Sequence, residues 1–340
     1  MSAPVRATTA LIIAAVAAGG LAGCGGDDGD TLTIYSGRQQ DLVGPLLEQF
    51  AEEEGVDIDV KYADSADLAV LIDTEGDNSP ADVFLSQSPG AIGFVDGEGR
   101  LIRLPDSTLE QVPERFRADD GDWVGLSGRV RVIVYNSDTT AEADVPNSVF
   151  DLTGEEYQGR VGVAPTNGSF QDFVSTMRDL IGDDATLEWL TALERNGART
   201  YPNNITIRDA VERGEIDFGL VNHYYNEQAK AEDPDTPTEN HFLPGTDPGS
   251  MILTTAVGIL DTAGDQQDNA QKFVDFLLSP EAQEYFAAET FEYPLAGGVE
   301  PAVDLPALDS LEAPAVDLSD LGGGLQRTRE LIRESGLEGS

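Results

Sequence analysis

Tyr224 and Tyr225 stand side by side, directly after the apolar run Phe218–Asn222 and His223. Free tyrosine keeps its proton up to pH ~10, so two such phenols become anionic oxygens only where a bound metal drives the protons off. Adjacent side chains within a strand point to opposite faces and could not grip one ion. Here the apolar run ends before the pair, which places both rings in a strand-to-helix turn where they can aim into one cleft. Two aromatics capping a core is the competing reading. A second candidate is Pro165-Thr166-Asn167-Gly168-Ser169, between an apolar strand and a helix beginning at Phe170. Free N–H groups at that helix start, with Gly168 allowing close approach, form an anion site. Thr166 and Ser169 could instead simply cap the helix. The motifs Gly-x-Ser-x-Gly, His-Glu-x-x-His and the Walker loop are absent from the sequence. His223 has no obvious acid and nucleophile beside it.

Composition narrows the possibilities. The 340 residues carry 20 Lys+Arg against 63 Asp+Glu, a formal charge of −43, which argues against nucleic-acid binding through a basic surface. The length suggests two domains or one bilobal unit, and 40 % hydrophobic residues suffice for real cores. One cysteine excludes an intrachain disulfide framework and a Cys-based zinc site. Two histidines leave little room for a His-rich metal centre. The acids are scattered, as at Glu52, Glu53, Glu54, Asp57, Asp59, Asp119, Asp120, Asp183 and Asp184. That scatter fits solvated faces under strong salt screening better than a patch for a cationic partner.

The single cysteine follows a short leader. Residues 1–6 hold one positive charge and no acid, and residues 7–20 are an apolar run too short to span a bilayer. Leu21-Ala22-Gly23-Cys24 then resembles the lipobox of bacterial-type lipoproteins. The expectation is a signal peptide over 1–23, acylation of Cys24, a flexible tether over 24–30, and a protein anchored to the outer face of the cell membrane. An ordinary signal peptide with Cys24 as a bystander is the alternative.

Strand and helix periodicities alternate along the remainder. Strands are expected at residues 31–35, 56–62, 81–85, 128–136, 160–164, 218–222 and 251–260. Helices are expected at 42–54, 66–73, from 91, at 170–181, 185–196, from Tyr224, at 267–278, 281–289 and near 325–334. This is an α/β pattern with parallel pairing. Residues 300–320 are rich in Pro and acids and should lie along the surface.

An exported, tethered α/β chain without catalytic motifs points to a solute receptor rather than an enzyme. Tyr35-Ser36-Gly37-Arg38, Pro80-Ala81-Asp82-Val83-Phe84, Ser127-Gly128-Arg129-Val130-Arg131-Val132, residues 164–170 and Asn222-His223-Tyr224-Tyr225 occur in order. Together they resemble the ferric-ion-binding proteins, receptors of iron(III) ABC importers. The resemblance implies a two-lobed periplasmic-binding-protein type 2 fold, with the ligand in a cleft between lobes joined by hinge crossovers. It implies lobe 1 over 31–128, lobe 2 over 129–254, a return to lobe 1 over 255–300, and a C-terminal segment over 301–340 packing mainly on lobe 2. Crossovers are expected near residues 128–131 and 253–257.

The same resemblance makes Tyr224 and Tyr225 ligands of iron(III), a hard cation that prefers anionic oxygen. It directs Arg129, Asn167, Gly168, Ser169, Asn204 and Asn222 to a synergistic carbonate or phosphate. Tyr35 and Arg38 are further cleft candidates, with core packing and a solvated surface as their respective alternatives. The chain departs from the family at three places. Gln39 stands where a histidine is expected, Gln87 where a glutamate is, and Phe170 near the place of a further tyrosine. Glutamine offers only a neutral oxygen, so the departures favour a site that leans on a bound anion. The implied partners are an ABC permease with its ATPase and the lipid anchor at Cys24, with the receptor a monomer. A same-fold receptor for thiamine, a polyamine or a phosphonate is the rival, and a secreted hydrolase is a remote one.

Overall fold

The computed structural model describes residues 31–314, 316, 318, 321 and 324–339. Cys24, with the leader and tether assigned to residues 1–30, lies outside the described residues. Among the described residues no helix is long and apolar enough to cross a membrane.

The chain opens with β1 (Thr31–Ser36), α1 (Gln40–Glu54), β2 (Asp57–Tyr62), α2 (Ser65–Glu75), β3 (Val83–Ser86), α3 (Pro89–Gly97), β4 (Leu101–Ile102) and α4 (Asp106–Leu109). The long strand β5 (Trp123–Asn136) leads to β6 (Val161–Val163), α5 (Gly168–Ile181), α6 (Asp183–Arg195), β7 (Arg199–Thr200), α7 (Asn204–Glu212), β8 (Phe218–Asn222), α8 (Tyr224–Glu232) and β9 (Thr238–His241). The chain returns through β10 (Ile252–Leu260), α9 (Gln267–Leu277), α10 (Pro280–Ala288) and β11 (Tyr293–Pro294), then reaches α11 (Leu325–Ser335).

Parallel pairing holds within each half, as β2-β1-β3 and as β8-β6-β7. The middle is antiparallel, because β5 and β10 carry the chain out and back. Residues 123–130 of β5 pair with β10, Gly128 and Ser127 also face β11, and residues 131–136 pair with β8 and β9. One strand therefore belongs to both halves, and all of its residues are buried. Along β10, Leu253 packs in the lobe 2 core and Ala256 in the lobe 1 core, with a register shift between Thr255 and Ala256.

Alternation along β5 separates two apolar cores. Val132 and Val134 join Ile207 and Val211 in a core continuous with lobe 1, while Ile133 joins Phe170, Phe173, Leu190 and Phe218 on the opposite face. The second core also takes Leu331 and Ile332 of α11, which packs on α5 and α6. Helix α7 has no counterpart among the sequence-based elements. Asn203 starts it, accepting from Thr206 N–H while Thr206 answers the Asn203 backbone in a capping box.

Candidate functional site

Strand β8 ends at Asn222, and His223 begins the turn into α8, so the tyrosine pair occupies the first turn of that helix. Residues i and i+1 diverge on a helix, yet at this junction the two rings lie 4.1 Å apart at 31°. Tyr225 lines a cavity of about 310 Å3 together with Arg38, Gln39, Gln87 and Asn167. Tyr224 is fully buried, and its hydroxyl has no hydrogen-bond partner among the described residues. Burial and the neighbouring Tyr225 push its phenol well above the usual range, while Arg38 and Arg129 pull in the opposite direction. A buried, orphaned hydroxyl is costly. Beside two guanidinium groups, a phenol without a partner is one from which a bound cation could displace the proton.

His223 fixes this turn. Its Nδ1 accepts from Val130 N–H at 3.1 Å, which leaves the proton on Nε2 to donate to the Phe291 carbonyl at 3.0 Å. Burial lowers its pKa to about 4, so it is a neutral clamp. Phe291 adopts a φ of 58°, an uncommon conformation for a bulky residue, and the next residue turns inward as the buried Glu292.

Glu292 holds Arg38 in a two-pronged pair at 2.9 and 2.8 Å, with both side chains fully buried. Arg38 is therefore a buried cation rather than a surface arginine. Burial works against its charge, but the Glu292 carboxylate outweighs that and raises its pKa. Burial likewise pushes Glu292 up, and Arg38 with Arg129 overcome it, leaving the acid lowered. Ser127 and Thr290 hydroxyls also donate to this carboxylate, at 3.1 and 3.0 Å.

Arg129 and Arg131 sit two apart on β5 and are both buried, and burial lowers the pKa of each, Arg131 to about 9. Arg129 donates to Thr255 Oγ1 at 3.3 Å and to the Gln87 carbonyl, and its Nε has no partner among the described residues. Arg131 reaches the Leu220 carbonyl at 3.0 Å and Asn222 Oδ1 at 3.4 Å, with its guanidinium over Phe170 and Phe173. Against these three arginines stand Glu292 and the buried Asp172, whose carboxyl burial raises to about 6. Asp172 Oδ1 accepts from Ser88 Oγ across the cleft at 2.7 Å. A chain of charge −43 thus encloses a cationic cleft floor.

The asparagines form one network. Asn204 Nδ2 donates to Asn167 Oδ1 at 3.2 Å and its Oδ1 accepts Asn222 N–H at 3.2 Å, while Asn222 Nδ2 has no partner among the described residues. Asn167 caps α5, taking Ser169 N–H at 3.2 Å, and Phe170 N–H goes to the Asn167 carbonyl at 3.0 Å. The Asn167 amide is itself bonded to the Ala164 carbonyl at 3.0 Å. The Gly168 amide of that turn has no acceptor among the described residues.

Two expected cleft residues stand elsewhere. Tyr35 is packed in the lobe 1 core with its hydroxyl donating to Glu75 at 3.1 Å, because strand alternation turns it toward α2. Phe170 is fully buried against Phe173 in the lobe 2 core, so a tyrosine hydroxyl's place is filled by packing. Gln39 and Gln87 do line the cleft. Glu292, Asp172 and Arg131 were missed. Arg131 carried a signal, since Arg-Val-Arg-Val places residues 129 and 131 on one strand face. Asp172 was readable as an acid inside the apolar face of α5, and Glu292 had no sequence signal.

A family described as bacterial extracellular solute-binding proteins matches residues 78–319. The Fe(3+)-binding periplasmic protein of Serratia marcescens is 31 % identical over 90 % of both chains. Iron-bound HitA from Pseudomonas aeruginosa superposes with a TM-score of 0.85 at 32 % identity, covering 90 % of this chain and 99 % of that one. A Trichodesmium protein in complex with iron and citrate superposes with a TM-score of 0.77 at 26 % identity, covering 90 % and 99 %. The fold and cleft define a two-lobed extracellular solute-binding protein. Within that class the chain belongs to the ferric-ion-binding family.

Proposed function

We propose that this protein captures iron(III) outside the cytoplasm and hands it to an ABC importer, with Tyr224 and Tyr225 as its anionic ligands and an exogenous anion completing the shell. The observation that carries this reading is the Tyr224 hydroxyl, buried without a partner among the described residues, on a ring stacked against a second tyrosine that opens to the cleft. Two phenolates neutralise two of the three charges of iron(III), and Gln39 and Gln87 add none. A carbonate or phosphate near Arg129, Gly168 and Asn222 supplies the remainder. Attachment through an acylated Cys24 keeps the loaded receptor near its permease, and a monomer suffices because each cleft is complete within one chain. The acidic exterior suits a salty medium and leaves the cationic floor as the local attraction for anions.

A visible spectrum tests this. Anion-depleted protein titrated with iron(III) against a soluble chelator should develop an orange to red phenolate charge-transfer band, strengthened by carbonate or phosphate. Arg129→Ala should reduce that anion effect about tenfold, the scale of one charge-assisted hydrogen bond. A band and an affinity indifferent to anion and to Arg129 would overturn the anion's role; no band at all would overturn the metal's.

A further inference from the structure

The cleft does not end at the tyrosines. Beyond Gln87 and Asn167 a second cavity of about 70 Å3 opens toward the C-terminal helix. Its walls include Arg129, the start of α2 at Ser65 and Ala66, Gly168, and Arg329 of α11. Gln87 and Asn167 line both cavities, so the two are neighbours along one cleft. Arg329 is held at its Nε by Gln171 Oε1 at 3.1 Å, and its two terminal nitrogens have no partner among the described residues. Arg129 is fully buried and its Nε is also unpartnered. The first amides of a helix have no acceptor within it, and Ser65, Ala66 and Gly168 hold such positions. Gly37 lets α2 start this close, since a Cβ there would lie 1.9 Å from Ser65 Oγ. The carboxylate on this wall, Asp64, is exposed at the rim, so two guanidinium groups outweigh one acid.

A carbonate or phosphate held by Arg129 and Gly168 would occupy the tyrosine side of this cavity and leave Arg329 and the α2 amides on its far wall unused. We infer that the second cavity is a distal anion subsite, in which Arg329 and the α2 amides take a further carboxylate of an organic polycarboxylate chelating the iron. The cargo is then iron(III) with a di- or tricarboxylate, and Arg329 selects it over iron with a single inorganic anion. This cavity takes one carboxylate arm, while the body of the chelator stays with the metal in the larger cavity. This inference rests on the iron reading above, and its test separates the two.

The full chain, freed of anions, is titrated with iron(III) in carbonate, phosphate, malate or citrate against a competing chelator, following the charge-transfer band. In the wild type, citrate should support iron binding about tenfold more tightly than carbonate, the value of one added bidentate arginine contact. Arg329→Gln should erase that advantage and leave carbonate-supported binding unchanged, with Arg329→Lys recovering part of it. Equal losses in both anions, or no loss in either, would overturn the subsite. Calorimetry of citrate into the iron-free chain decides it independently of the metal. Citrate binding weakened about tenfold by Arg329→Gln upholds the subsite even if no iron band forms, and citrate binding that is absent or indifferent to the variant overturns it.

Discussion

Lobe 2 brings Tyr225, with Tyr224 stacked against it, and Asn167, the first of a linked trio of asparagines, to the cleft, whereas lobe 1 brings Gln39, Gln87 and an arginine already paired with Glu292. The lobe 2 wall therefore holds the groups able to become anionic toward a cation. The lobe 1 wall supplies positive charge and neutral amides. Such asymmetry separates the tasks. The metal and its anion can both be taken up on the lobe 2 side, where Gly168 and Asn222 stand near the phenols, while the lobe 1 wall closes over them, as in hinge closure around a ligand.

Removing either phenol strikes that division hardest. Tyr224→Phe and Tyr225→Phe should each weaken iron(III) binding on the order of a thousandfold, about 4 kcal/mol, in competition titrations. Tyr224→Phe should leave thermal stability unchanged or raised, because the hydroxyl it deletes is unpartnered. Wild-type iron affinity in both variants would break the comparison.

On the other wall the expected effect is on stability. Glu292→Gln leaves Arg38 buried without a counter-charge and should cost about 3–5 kcal/mol in chemical denaturation. A double change, Arg38→Leu with Glu292→Leu, should recover much of that loss. A neutral Glu292→Gln would show that the lobe 1 wall is no scaffold.

His223 joins the walls and gives a pH signature. Its folded pKa of about 4 lies below the ordinary 6.5, so the unfolded chain binds more protons between those values and stability from this group falls as pH drops through that window. Asp82, Asp96 and Asp172, raised to about 6, 7 and 6, act in the opposite direction, so the effect is read as a difference. The stability advantage of wild type over His223→Gln should shrink by about 3 kcal/mol from pH 7 to pH 4. A difference flat with pH would mean that the ring is not held neutral.

The smallest change sharpens the comparison. Gln87→Glu gives the lobe 1 wall an anionic oxygen, so iron binding in anion-depleted buffer should tighten about tenfold and the response to carbonate should diminish. An unaltered anion response would mean that Gln87 does not face the metal.

Much of this was legible in order along the chain. The alternating periods located β1, β8 and α5, the end of the apolar run at Asn222 placed the tyrosine pair in a turn, and Asn167 opened a helix. Those are local properties, fixed by side-chain spacing and backbone propensity. Tyr35 and Phe170 could not be assigned that way, because which face of a strand or helix meets the cleft depends on what packs behind it.

The sequence alone determined the α/β alternation, the scattered surface acidity and the presence of a phenol pair without catalytic company. Only the tertiary structure decided that Arg38, Arg129 and Arg131 converge with Glu292 and Asp172 in one buried cluster, and that α11 returns to present Arg329 at its edge. Arg38 and Glu292 are 254 residues apart, so their pairing exists only once β10 has carried the chain back beside β3 in lobe 1. Their charges are worth little apart in water and much together in a dry interior, and local sequence encodes neither the distance nor the dryness.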